Sequence, residues 1–158
     1  MSKKILKTGI LSFGMSGSLF HAPFLNEHPG YHLTAVVERT KKIASKTYPK
    51  IKSYDTVDQL IADEDIDLVV VNTPNFTHFE FALKALRAKK HVLVEKPFCV
   101  NSAEAKELFA EAKRQDRSIL PYQNRRYDSD FLAVKKVLDS GKLGAMVEAH
   151  MRYDRYRY

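Results

Sequence analysis

A chain of 158 residues with 44% apolar and 28% charged residues can bury one sizeable core, which excludes a disordered chain and argues for one principal domain. Its formal net charge of +7 suits an anionic partner, nucleic acid or dinucleotide, yet the cations are scattered (Lys3, Lys4, Lys41, Lys42, Lys89, Lys90, Arg125, Arg126) and form no basic tail. The single cysteine, Cys99, excludes an internal disulfide, reads as an inert small hydrophobe and fits a cytoplasmic setting.

In chain order, Lys3, Lys4 and Lys7 ahead of the apolar stretch 9–15 imitate a secretory signal, but Gly14, Ser16, Gly17 and Ser18 interrupt it. These residues make better sense as a strand entering a glycine-rich loop. No segment approaches the ~18 apolar residues of a spanning helix, so no membrane partner is expected. Short β-branched runs at 6–13, 32–37, 51–54, 67–71, 91–94 and 118–123 are predicted strands, several of them apolar throughout, as strands covered on both faces should be. Helical patterns fall between them. Phe79, Leu83 and Leu86 mark one buried helix face and Ala105, Leu108, Phe109 and Ala112 another, with Asn101 or Ser102 as N-cap ahead of Glu104. Phe131, Val134 and Leu138 mark a further helix, entered through Asp128 and Ser129 and stopped by Gly141. This βα alternation predicts an α/β fold with a Rossmann-type doubly wound parallel sheet.

Near the end, Val147, Ala149, Met151 and Tyr153 alternate with Glu148, His150 and Arg152, which predicts a strand with one wet face opening a second, open-faced α/β sheet. The expected division is residues 1–125 as a dinucleotide domain, 126–144 as a connecting helix and 145–158 as the first strand of a truncated substrate domain. An unpaired strand of that kind would let copies associate as a homo-oligomer.

Four constellations carry chemistry. Ser12, Phe13, Gly14, Met15, Ser16 and Gly17 follow the first strand and open a helix, a GxGxxG pattern with serine in place of its first glycine. Gly14 would let the backbone approach a pyrophosphate, Gly17 would let helix and strand pack closely, and free amides of the first turn would bind phosphate. Glu38 ends the second strand twenty-one residues after Gly17, near the ~20-residue spacing of a ribose-binding acid. It would accept hydrogen bonds from an adenosine diol and repel a 2′-phosphate, a modest preference for NAD over NADP, unless it turns away and leaves Arg39, Thr40, Lys41 and Lys42 as a phosphate pocket. A pairing of Glu38 with Arg39 or Lys41 is the bland reading. Asn72, Thr73, Pro74, Asn75, Phe76, Thr77 and His78 follow the fourth strand, and Glu95, Lys96 and Pro97 the fifth, at the carboxyl edge where open α/β sheets bind ligands. A lysine there can carry charge into a cleft and engage a substrate hydroxyl, although periodicity alone favours a solvated loop lysine.

Phe13–Gly17 with Phe20-His21-Ala22-Pro23, Thr73-Pro74-Asn75 with His78, Glu95-Lys96-Pro97-Phe98, and Asn124-Arg125-Arg126-Tyr127-Asp128-Ser129-Asp130-Phe131 occur in one order. Over essentially its whole length the chain resembles the glucose-fructose oxidoreductase, inositol dehydrogenase and rhizopine-catabolism family, nearest its scyllo-inositol dehydrogenase-like branch. The resemblance implies NAD or NADP as cofactor and hydride transfer with a secondary alcohol of a sugar or cyclitol. It implies that Lys96 positions the reacting hydroxyl, that Glu95 contacts ribose, and that Thr73, Pro74 and Asn75 line the cofactor cleft. Asn124 and Arg126 would face the nicotinamide end or the domain junction. The family's acid/base histidine and an aspartate belong to a second domain, so this chain alone is expected to bind cofactor with little turnover.

Other residues have plainer readings. Pro29 and Gly30 break the helix that a metal pair His28 and His32 would need, so no metal is expected. Asp63, Glu64, Asp65 and Asp67 lack a calcium-loop pattern. The closing cations and aromatics, Arg152 to Tyr158, could imitate a nucleic-acid platform but fit a substrate-domain strand better. A Rossmann-like methyltransferase would leave Glu95-Lys96-Pro97 unexplained, and a non-catalytic dinucleotide sensor is the other alternative.

Overall fold

The structure, a computed structural model, describes residues 4–152, 154 and 156. It divides into two compact units, the first running to Tyr122 and the second starting at Gln123. In the first unit β1 (Leu6–Ile10), β2 (Tyr31–Val37), β3 (Lys52–Tyr54), β4 (Leu68–Val71), β5 (His91–Val94) and β6 (Ile119–Pro121) form one sheet in the order β3-β2-β1-β4-β5-β6. Every pairing is parallel. This is the Rossmann order, in which the winding reverses between β1 and β4 and opens a crevice at the carboxyl edge. β1 stops at Ile10 rather than near residue 13: Leu11 still donates to Val70 O, and the chain then leaves the sheet.

The apolar strands work because both faces are covered. On one face Ile10, Leu33, Val36 and Val70 pack with Ala22 and Leu25 of α1 (Ala22–Glu27) and Ala44 of α2 (Ala44–Thr47). On the other, Ala35, Val37, Val69, Val71, Val92 and Val94 meet α3 (Val57–Ala62), α4 (His78–Arg87) and α5 (Ser102–Arg114) through Leu60, Ala82, Leu86 and Leu108. Thr8 pairs with Leu33 but Gly9 with Ala35, so Thr34 is one extra residue in β2. That insertion re-phases the alternation and lets Leu33 and Val36 share a face.

The two expected buried helix faces hold apart from Phe109, whereas the apolar set Phe131, Val134 and Leu138 of the last expected helix is exposed. Leu86, Leu108 and Ala112 are buried, and the Asn101 side chain accepts the Glu104 N–H at 2.9 Å as N-cap of α5. Phe109 is 48% exposed, because one residue past Leu108 the helix has turned by about 100° away from the sheet. Its ring lies over Phe98 instead, centroids 5.4 Å apart. At the opposite edge the acidic residues meet lysines, Asp67 with Lys4 at 2.7 Å, Asp65 with Lys7 at 3.0 Å and Asp63 with Lys52 at 3.1 Å.

In the second unit a 3₁₀ turn, Asn124–Tyr127, leads into α6 (Ser129–Asp139), and Gly141 takes a φ of 71° after it. Residues 145–152, expected as a strand, form no ladder; Val147 is 96% exposed. Their alternation survives locally, since His150 and Glu148, two apart, pair at 2.8 Å. A strand needs a neighbour for its backbone groups, and the described residues of this unit supply none. Tyr153, Arg155, Arg157 and Tyr158 of that expectation lie outside the described residues.

Leu108→Ala, which empties a fully buried site, should cost about 2–5 kcal/mol in urea unfolding, whereas Phe109→Ala should cost about 0.5–1.5 kcal/mol, the stacking on Phe98 alone. Equal losses would contradict this assignment of faces.

Candidate functional site

The loop after β1 is held from β4. Asn72, at the end of that strand, accepts the Ser12 N–H at 3.0 Å and returns its amide N–H to Ser12 O at 2.8 Å. Behind this clamp a π-helical turn, Gly17–His21, runs into α1. A Cβ on Gly17 would stand 2.0 Å from Ser12 O, so only glycine permits the turn to close on the loop. A Cβ on Gly14 would meet only Ser12 Oγ at 3.6 Å, an ordinary contact. The bareness of Gly14 therefore serves no internal packing. Among the described residues the backbone N–H groups of Gly14, Met15, Ser16 and Gly17 donate to no protein atom; the first to do so is Ser18, to Gly14 O at 2.9 Å. Four unspent amides at the start of a helical segment form a ready anion cradle. Met15 is exposed, whereas the Phe13 ring packs edge-on to Tyr48 and supports the loop from inside.

Glu38 is engaged differently from the sequence expectation. It is 6% exposed, its Oε1 accepts the N–H groups of Ile43 at 2.8 Å and Ala44 at 3.0 Å, and its Oε2 accepts the Ser53 hydroxyl at 2.9 Å. The carboxylate thus caps the start of α2 and ties it to β3. It is not paired with Arg39 or Lys41 either: Arg39, Thr40 and Lys41 are exposed and, among the described residues, make no side-chain hydrogen bond, while Lys42 pairs with Asp55 at 2.6 Å.

The loops after β4 and β5 are stapled together by His78. Its Nε2 lies 2.8 Å from Thr73 O and its Nδ1 2.8 Å from Pro97 O, and the ring is buried. Both nitrogens are committed to backbone, which removes His78 from the direct cofactor contacts expected of it. Thr73 Oγ1 and Thr77 Oγ1 share a hydrogen bond at 2.6 Å, leaving Pro74 and Asn75 exposed on the rim.

Glu95, at the end of β5, closes the circuit back to the first loop. Its Oε1 accepts the Ser16 hydroxyl at 3.0 Å and lies 2.9 Å from His21 Nε2, and its Oε2 accepts the Lys96 N–H at 3.1 Å. Burial holds the His21 imidazole below the ordinary histidine value, with the Glu95 hydrogen bond and charge acting in the opposite sense, and the Tyr122 ring covers it at 4.6 Å. Burial likewise pushes the Tyr122 phenol up, and the Cys99 thiol to about 11, which leaves Cys99 unreactive. Lys96 is exposed, and among the described residues its ammonium makes no ion pair or hydrogen bond. Asn124 and Arg126 belong to the 3₁₀ turn of the second unit.

Sequence reasoning placed Asn72 at the ligand edge without its clamping role and gave no role to His21 or Tyr122. Asn72 had a signal, a polar residue ending an apolar strand. His21 and Tyr122 had none, because their roles exist only through contacts across the sheet edge.

Residues 6–123 match the GFO_IDH_MocA family, oxidoreductases with an NAD-binding Rossmann fold. The chain belongs to that family. It is 45% identical over 96% of its length to an uncharacterized oxidoreductase of Schizosaccharomyces pombe, C115.03, covering 43% of that protein. It is 32% identical over 96% of its length to the scyllo-inositol 2-dehydrogenase (NADP(+)) IolW of Bacillus subtilis, covering 42% of it. A crystal structure of an oxidoreductase from Bacteroides fragilis superposes with a TM-score of 0.82 at 45% identity, covering 89% of this chain and 44% of that one. The chain thus spans under half the length of the relatives it matches. As an oxidoreductase-family NAD-binding domain it has its cradle at the edge where such folds bind dinucleotides.

Gly17→Ala should displace the loop and cost at least about 1–3 kcal/mol, since the new methyl meets backbone rather than a flexible side chain. Gly14→Ala should leave thermal stability nearly unchanged. A Gly17→Ala protein as stable as wild type would contradict the close approach seen here.

Proposed function

We propose that this chain is the dinucleotide-binding half of a dehydrogenase that moves hydride between NADP(H) and a secondary alcohol of a sugar or cyclitol. The observation that carries the reading is the four unspent amides of Gly14–Gly17, joined through Ser16 and Glu95 to the loop that presents Lys96. The cradle fits a pyrophosphate: an anion there completes backbone donors that the protein leaves unused, beside a glycine whose missing Cβ keeps the approach open. A nicotinamide group bound along this edge would supply the hydride chemistry. The protein's part is to hold and orient. Thr73, Pro74 and Asn75 line the rim, Glu95 is assigned a ribose contact through Oε2, which accepts only the Lys96 N–H on a residue less buried than Glu38, and the ammonium of Lys96, without a partner among the described residues, is available to a substrate hydroxyl.

NADP is favoured over NAD, a reversal of the sequence expectation. Glu38 could select NAD only with a free carboxylate, and its oxygens are occupied inside the protein. With that acid withdrawn, Arg39, Thr40 and Lys41 stand exposed just beyond β2, suited to a 2′-phosphate. The NADP(+) in the name of IolW supports the same choice. Residues 126–144 are assigned to a connector and 145–158 to the entry of a substrate domain. A proton acceptor for the alcohol is needed besides Lys96, so the chain by itself binds cofactor with little turnover.

Fluorescence titration should give NADPH an affinity at least about tenfold above NADH, and Arg39→Ala should remove most of that advantage while changing NADH binding little, a difference of roughly 1.4 kcal/mol. Tighter binding of NADH would overturn the NADP assignment; binding of neither would overturn the dinucleotide reading.

A further inference from the structure

We propose that Glu95 and His21 are positioning residues that transmit occupation of the phosphate cradle to Lys96, an inference that rests on the dinucleotide reading above. One carboxylate joins the two loops. Oε1 takes Ser16 and His21, and Oε2 takes the backbone N–H of Lys96 itself. Ser16 lies in the middle of the free-amide rim, so an anion that orders those amides also orders the hydroxyl that Glu95 accepts. A shift of Glu95 is then felt one residue on, at Lys96.

The π-helical turn is what allows this convergence. Ser16 and His21 are five residues apart, which on an α-helix would set them about 140° apart around the axis. A π turn, wound i to i+5, brings them to one side, where both reach the same carboxylate oxygen. His21 is fixed in that role from every side. It is 3% exposed, Tyr122 stacks on it, and the Tyr122 hydroxyl donates to Phe20 O at 3.3 Å, which ties the end of β6 to the same turn. A buried histidine whose Nε2 meets a carboxylate carries its proton on that nitrogen, so it donates to Glu95 and cannot serve a ligand from there. Its burial and hydrogen bond therefore act on Lys96 only through Glu95.

The test is nuclear magnetic resonance of this chain titrated with ADP, which carries the pyrophosphate but neither the second ribose nor the nicotinamide, so that any response of Lys96 is transmitted and not a direct contact. In wild type the Gly14 and Gly17 amides and the Lys96 amide should all shift. In Ser16→Ala, a part-exposed change that leaves the core untouched, and in His21→Leu, the Lys96 response should fall by about threefold or more while Gly14 and Gly17 still respond. His21→Gln, which returns an N–H donor near the place of Nε2, should restore it. An undiminished Lys96 response in Ser16→Ala and His21→Leu would overturn the link and leave the dinucleotide reading standing. No response at Gly14 and Gly17 in wild type would overturn both.

Discussion

Three side-chain bridges at the carboxyl edge of the sheet hold the loops that carry the free amides and Lys96. Asn72 ties the loop after β1 to the end of β4, His78 ties the loop after β4 to that after β5, and Glu95 ties β5 back to the turn that follows the first loop. The bridges close a ring around the point where the winding reverses. Strands alone would fix only where each loop begins. The ring also fixes where it goes, which matters because a site on loops is precise only when a second layer of hydrogen bonds supports it.

The ring explains why some polar residues are spent and others are not. Buried donors and acceptors must find partners, and Asn72, His21, His78 and Glu38 find theirs inside the protein. At the carboxyl edge, among the described residues, the amides of Gly14–Gly17, the Lys96 ammonium and the exposed Arg39 and Lys41 after β2 have no protein partner. A surface that has satisfied its own interior and leaves donors and positive charge at one crevice is suited to a long anionic ligand. This partition, more than any single residue, supports the functional reading.

Much of this was legible in the sequence, for identifiable reasons. Apolar runs such as 67–71 and 91–94 announce strands covered on both faces, and the spacing of Leu86 and Leu108 with their helix neighbours announces the cover. The glycine pattern located the cradle, since Gly17 is required by a close approach that any side chain would block. What the sequence misjudged depends on partners distant along the chain. Glu38 has the spacing of a ribose acid, but whether its oxygens are free depends on Ile43, Ala44 and Ser53 folding back on it. His78 looks like a rim residue until Pro97 O, nineteen positions on, takes its second nitrogen. The alternation at 145–152 is real, yet a strand is a relation between two segments and one segment cannot state it.

On the proposed reading the domain would bind its cofactor with groups made available by its own folding, and Lys96 is presented from the same ring. Amide hydrogen exchange with and without saturating NADPH tests this most directly. The account predicts strong new protection at 14–17, with weaker protection at 95–97 and none in the Asp63 to Asp67 region at the opposite edge. Unchanged exchange at 14–17, in a protein that demonstrably binds NADPH, would contradict it.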